Sequence, residues 1–383
     1  MKRLECLDGL RGVLAVYVMA SHLAPFAAAP AWMLRPLSHG MAAVDVFFVL
    51  SGMVIMLSLE GFGYRAGPFL AARALRIFPV FLVVFLGAVA VQPLQIMYPA
   101  MPWIAPDSLA RRIWADGWPS DWLGNIAAHL TMTHGLFPDG AWPHVYLGFL
   151  GAAWSLSTEW QFYLLALLAA RPGREWQLAW GLLALALAAS AWAALAPEFW
   201  QFSRAFLPNK AHFFALGIAS AALLRTGQPT PPKLIRFCAA LAAVLAICLP
   251  GGLGKLAAPL IWVLCLAAQA LAFRALSPVA ALLRAPPLLW LGAISYCLYL
   301  VNEPVQKLLG IALARLADGD SALFTALWLP SAILLPIAAA WGLHRAIEQP
   351  ALRWGRRRRA RHSAFLHKPA LNSPSPRAIS PTI

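Results

Sequence analysis

The chain has 383 residues, of which 61 % are hydrophobic and 12 % charged, with a formal net charge of +15. Apolar runs recurring along its whole length exclude an ordinary soluble domain, and their lack of period-2 alternation excludes a membrane barrel, leaving an all-α polytopic membrane protein. The five cysteines, Cys6, Cys238, Cys248, Cys265 and Cys297, form no CxxC pair, so neither a disulfide framework nor a metal site is expected.

The first apolar stretch, LDGLRGVLAVYVMASH at residues 7–22, carries Arg11 and, eleven residues on, His22. On a helix rising about 1.5 Å per residue the two lie roughly 16 Å apart, about half of a hydrocarbon core of roughly 30 Å. His22 is therefore expected near mid-depth, where an ionisable group is costly and either lines a functional cavity or is bonded to a neighbouring helix. The stretch reads poorly as a secretory signal, because Arg11 and His22 interrupt its apolar region.

Ten apolar segments are predicted as spans, at 12–30, 42–60, 74–92, 145–170, 177–196, 208–224, 235–251, 257–273, 286–303 and 323–344. With both termini cytoplasmic, 22 of the Lys and Arg residues fall inside and 8 outside, and this asymmetry selects the orientation. Residues 121–137, with Asn125, His129 and His134, are less apolar. An eleventh span there would carry the arginine-rich end of the chain outside, so a re-entrant or interfacial helix is expected instead. The connection from 93 to 144 holds Trp103, Trp114, Trp118, Trp122 and Trp142. Such tryptophans are ordinarily interfacial anchors, and a platform for sugar rings is the alternative. Residues 1–352 form the membrane domain, and residues 353–383, basic and then rich in Pro and Ser, are expected to be a disordered cytoplasmic tail. The positive charge is thus a matter of topology and the lipid bilayer, and no nucleic acid partner is expected.

Four further clusters carry chemistry. VDVFFVLSG at residues 44–52 places Asp45 near the outer end of the second span, as a cap or as a functional carboxylate. In RALRIFP, Arg73 and Arg76 are three residues apart and share a helix face, a pairing of planar forks suited to phosphate oxygens and also explained by the positive-inside rule. WSLSTEWQFY at residues 154–163 puts Glu159 inside an apolar helix, with Ser155, Ser157 and Gln161 beside it. A carboxylate there needs a partner, and His22 is the expected one. ISYCLYLVNEP at residues 294–304 brings Tyr296 into the ninth span and Asn302 and Glu303 to its outer end.

Taken in order, LDGLRG with its arginine, ten-residue gap and histidine, then VDVFFVLSG, the Arg73 and Arg76 pair, WSLSTEWQFY, ISYCLYL and the closing IEQP at 347–350 resemble the acyltransferase family 3 of integral membrane acyltransferases. The resemblance covers nearly the whole chain. It implies a cytoplasmic acyl-CoA as donor, most simply acetyl-CoA as a co-substrate with no bound cofactor, and a hydroxyl of a glycan, glycolipid or secondary metabolite as acceptor. The expected location is the bacterial cytoplasmic (inner) membrane. It gives His22 a catalytic role, with Glu159 supporting it, and gives Arg11, Arg73 and Arg76 roles in donor binding or site organisation. Asp45, Ser155, Gln161, Tyr296 and Asn302 are then candidates for the acceptor side or for organising the site. His22 is expected as general base, or as the carrier of an acyl-histidine intermediate. Two departures stand out: Trp160 follows the glutamate where a second acidic residue is usual, and Asn302 stands where the family often has histidine. A proton-coupled transporter or flippase is the alternative, to which the arginine pair would be superfluous.

Overall fold

The computed structural model describes residues 5–114, 117–225, 229–269 and 274–366. Each of the ten apolar stretches holds a helix. The principal helices are α1 (Glu5–Leu23), α2 (Gly40–Gly61), α3 (Ala66–Val91), α4 (Trp122–Leu130), α5 (Trp154–Ala169), α6 (Glu175–Leu195), α7 (Ala211–Leu224), α8 (Pro231–Cys248), α9 (Leu253–Gln269), α10 (Pro286–Ala317), α11 (Ser321–Leu343) and α12 (Gln349–Leu366). Among the described residues there is no strand, only one isolated bridge between Pro138 and Phe202.

Seven segments are long and apolar enough to cross a membrane: Glu5–Phe26, Ala31–Gly61, Ala66–Val91, Glu175–Leu195, Pro231–Gly251, Pro286–Ala317 and Ser321–Arg359. The helices of the other three expected spans are shorter, with 16 residues in α5, 14 in α7 and 17 in α9, against the roughly 20 that a bilayer core asks for. Helix α7 is short because it is internal: every residue from Ala211 to Leu223 is buried.

Close approaches of backbone hold the bundle together, as expected where lipid offers no hydrophobic drive between helices. The glycines of the opening DGLRG illustrate this. A Cβ on Gly292 of α10 would stand 1.9 Å from the carbonyl oxygen of Asp8, and one on Gly12 would stand 2.7 Å from the Gly292 nitrogen. Helices α1 and α10 therefore touch backbone to backbone. Gly52 and Gly217 do the same for α2 and α7, where added Cβ atoms would lie 2.3 Å from Phe214 O and 2.0 Å from Val49 O.

Helix α10 has 32 residues, about 48 Å of helix at 1.5 Å per residue, so it outruns a hydrocarbon core of roughly 30 Å. Its last turns, with Ile311 and Ala314, join Phe324 and Trp328 of α11 and Phe26, Tyr98, Met101 and Trp114 in a second apolar cluster. That cluster ties the connection between α3 and α5 to one end of the bundle. Helix α4, in this connection, has nine residues, about 13 Å, too short to cross. His129 in its last turn and His134 just beyond it are both buried, their rings stacked at 4.0 Å and 4°. Burial pushes His134 down to about 4 and, together with the neighbouring His134 ring, holds His129 well below the usual imidazole range.

At the other end, a π-helical turn at His344–Glu348 joins α11 to α12. The start of the basic tail differs from its expected disorder, since α12 continues as helix through Leu366. Arginine is a good helix former, the helix is propagated from α11, and Arg359 lies over the Phe62 ring at 4.4 Å. Residues 367–383 of the expected tail lie outside the described residues.

Candidate active site

Helix α1 runs from Glu5 to Leu23, His22 stands one residue from its C-terminal end, and the ring meets α10 near the middle of that helix, at Asn302. His22 lines a cavity of about 890 Å³ at the end of the bundle covered by the α3–α5 connection. Its Nδ1 is 2.7 Å from Asn302 Oδ1.

Glu303, the next residue of α10, lines the same cavity. Its carboxylate accepts the N–H of Ala152 at 3.2 Å, with Gly151 also donating, and His22 is the foremost charged neighbour acting on it. Lys307 stands one turn further along α10, and Arg111 and Arg204 complete the charged wall. Arg204 reaches over the rings of Tyr146 and Trp154, at 5.8 and 5.9 Å. Aromatic surface comes from Trp114, Trp118, Trp142 and Trp154. The cavity thus offers a base, one carboxylate, three permanent cations and flat apolar faces, a lining suited to a polar, hydroxyl-bearing molecule.

Glu159 does not partner His22. Its Oε1 accepts from Ser51 at 2.7 Å and from Tyr163 on its own helix. Hydropathy indicates position along each helix but not which face turns to which neighbour, and α5 presents Glu159 to α2. Ser155 bonds Tyr299 OH at 2.8 Å, and Gln161 holds the 205–207 segment through Ala205 O at 3.0 Å and Leu207 N at 2.9 Å. Both organise the frame around the site. Asp45 forms a buried ion pair with Lys210 at 2.6 Å and does not line the cavity.

The arginines gather at the opposite end. Arg76 is ion-paired with Glu348, whose other oxygen takes Cys297 Sγ at 3.2 Å and His344 Nδ1 at 2.6 Å. Tyr296 donates to Ile77 O at 2.7 Å and lies 5.4 Å beneath the Arg76 guanidinium. The ligand-type atoms of Cys297, His344 and Glu348 lie within 4.8 Å of one another, close enough for a metal ion, and the other oxygen of the glutamate is paired with Arg76. Arg73 sits 5.9 Å from the Phe69 ring with its Nε buried and unbonded. Arg11 feels Arg76, Asp8, Glu159 and Glu348. Among the described residues neither Arg11 nor Arg73 is within ion-pairing distance of a carboxylate.

Sequence reasoning placed Glu303 beside Asn302 but gave it no task, and it missed Lys307, Arg111, Arg204 and Glu348. For Glu303 a signal existed, a carboxylate at the end of an apolar helix next to an amide. Lys307, Arg111 and Arg204 read in sequence as ordinary basic residues of the outer side, which only the fold gathers at the cavity, and Glu348 stands in the closing IEQP motif without a partner that the sequence names.

The chain matches the family described as an acyltransferase domain over residues 4–345. It is 30 % identical, over 385 aligned residues covering 93 % of this chain and 94 % of the relative, to the acyltransferase MdmB of Streptomyces mycarofaciens. No solved structure matches it.

Proposed function

The chain belongs to the acyltransferase family 3 of membrane proteins, and from that membership we propose that it moves an acyl group, most simply acetyl, from cytoplasmic acyl-CoA to a hydroxyl of a glycan, glycolipid or other polar acceptor. The observation that carries this reading is His22, held at Nδ1 by Asn302 and facing a cavity of about 890 Å³. In the proposed reaction His22 removes the acceptor hydroxyl proton as the oxygen attacks the thioester carbonyl. The C–S bond then breaks, and the CoA thiolate leaves and recovers the proton from the imidazolium. Glu303, not Glu159, is the carboxylate close enough to favour that transient cation.

In this reading ten segments cross the inner membrane with both termini cytoplasmic, which the distribution of Lys and Arg supports. The arginine end is then cytoplasmic and receives the donor. Arg11 and Arg73, with no carboxylate in ion-pairing distance among the described residues, suit the nucleotide phosphates, and Arg76, which meets Glu348 through Nη1, keeps further N–H donors with which it could join them. Arg11 and His22 are about 16 Å apart along α1, a gap suited to the long pantetheine arm of an acyl-CoA.

The test is transfer of radiolabel from acetyl-CoA by the purified protein in nanodiscs to polar extracts of its host envelope. Label moved by the wild type and lost in His22→Ala is the expected result. Failure of the wild type to move label from any acyl-CoA to any hydroxyl acceptor sinks the proposal.

A further inference from the structure

Asn302 is fully buried in α10. Its side-chain nitrogen donates to two backbone carbonyls of its own helix, Leu298 O at 2.9 Å and Tyr299 O at 2.7 Å. Only an NH₂ group can face two carbonyl oxygens at such distances, so the orientation of the amide is dictated by its surroundings. Both amide hydrogens are thereby used, and Oδ1 is the atom left 2.7 Å from His22 Nδ1. An amide oxygen only accepts. The hydrogen between the two residues therefore belongs to Nδ1, and in a neutral imidazole the other nitrogen is then bare. His22 lines the cavity, and its Nε2 takes no partner among the described residues.

From this geometry we infer that Asn302 is a positioning residue that fixes His22 as the Nδ1–H tautomer and so presents the Nε2 lone pair to the acceptor hydroxyl. The catalytic meaning rests on the proposed acyl transfer, but the tautomer does not. Inverting the amide would break two hydrogen bonds and set Oδ1 against two carbonyl oxygens, while Nδ2 met the ring. Asn302 thus sets a hydrogen-bond acceptor against the ring. It orients the ring through a group that does not itself titrate.

The test reads the ring directly. Two-bond ¹H–¹⁵N correlation spectra of ¹⁵N-histidine-labelled protein in nanodiscs distinguish the two tautomers, and His22→Gln identifies the signals of His22 among the nine histidines. The expected wild-type pattern is a protonated Nδ1 with a bare Nε2. Asn302→Asp, which keeps an accepting oxygen, retains that pattern. Asn302→Leu loses it, and its kcat falls roughly 10- to 100-fold, in the range seen when a histidine loses its orienting partner, while the KM for acyl-CoA stays put. A wild-type His22 protonated at Nε2, or an Asn302→Leu protein with the wild-type tautomer, overturns the inference. A wild type with the expected tautomer but no acyl transfer would instead sink the functional proposal and leave the inference standing.

Discussion

Helices α1 and α10 each contribute to both ends of the bundle, and the two ends treat polar groups in opposite ways. At one end His22 and Glu303 border an open cavity, with Asn302 buried behind the imidazole and one ring nitrogen left unanswered. At the other, Arg76, Glu348, His344 and Cys297 answer one another, and Glu159 is capped by Ser51 and Tyr163. A group that must act on an incoming molecule cannot be saturated by the protein. A closed network of buried charge holds helices in place, because removing any member strands the others. In the proposed function the difference separates a site of chemistry from a clamp, although both are lined by residue types that look catalytic in sequence.

The largest effect belongs to the open end. His22→Ala is expected to lower kcat by about 10² to 10⁴, the usual worth of a positioned general base, with acyl-CoA binding unchanged. Glu159→Gln, at a carboxylate engaged by Ser51 and Tyr163 and not lining the cavity, is expected to cost far less. Acyl transfer and CoA binding measured separately on the purified proteins decide the matter, and a larger loss in Glu159→Gln than in His22→Ala would reverse the assignment of the two ends.

At the closed end the readout is stability. Glu348 is 0 % and Arg76 25 % exposed, so Arg76→Ala strands a buried carboxylate and is expected to cost about 3 kcal/mol, the lower part of the range for breaking buried pairs. Combining it with Glu348→Gln should recover much of that loss, because the stranded charge goes with it. Thermal unfolding in detergent checks both. An Arg76→Ala protein that melts like the wild type but needs far more acyl-CoA would make Arg76 a donor ligand and dissolve the contrast between the ends.

Much of this architecture was legible in the residues, and what was not has physical causes. Hydropathy located all ten helices because lipid forces backbone groups to pair within a segment. It could not reveal that α7 is short and internal, since an apolar run is the same whether lipid or protein surrounds it. His22 and Asn302 were both picked out, yet the pair was not, because each was placed by its own depth and their contact depends on the close approach of Gly12 to Gly292. Glu159 was assigned to His22 for the same reason in reverse: similar depth was taken for contact.

The cover of the open cavity brings its own vulnerability. His134 is held to about 4 by burial, and His129 is shifted in the same direction, whereas an unfolded imidazole titrates near 6.5. Between those values the unfolded connection binds protons that the folded one refuses. Stability from this pair is therefore complete above about pH 6.5 and is lost as the pH falls toward 4. At pH 5 the loss from His134 alone is roughly 2 kcal/mol. Tryptophan fluorescence between pH 7.5 and 4.5 is expected to report loosening near Trp118 and Trp142, with the arginine end unaffected. His134→Phe, which removes the titrating ring, should flatten the response, and an unchanged pH profile in that variant would clear the histidine pair of any part in it.

The smallest effect is the most selective, because it compares two tryptophans that sequence could not tell apart. Trp118 and Trp122 lie 5.3 Å apart at 82°, and both are similarly exposed, at 43 % and 41 %. Only Trp118 lines the cavity. If the pair simply anchors the connection at the membrane surface, the two are equivalent and losing either ring has the same slight consequence. If the cavity wall stacks against the acceptor, Trp118→Ala removes a face worth about 0.5 to 1.5 kcal/mol, or roughly 2- to 12-fold in affinity. It would do so in the KM for acceptor alone, with acyl-CoA KM untouched, while Trp122→Ala leaves both constants as they were. Acceptor titrations at saturating acyl-CoA separate the outcomes. Equal shifts in the two variants would return these rings to the role of interfacial anchors and leave acceptor recognition to the charged wall of Arg111, Arg204, Lys307 and Glu303.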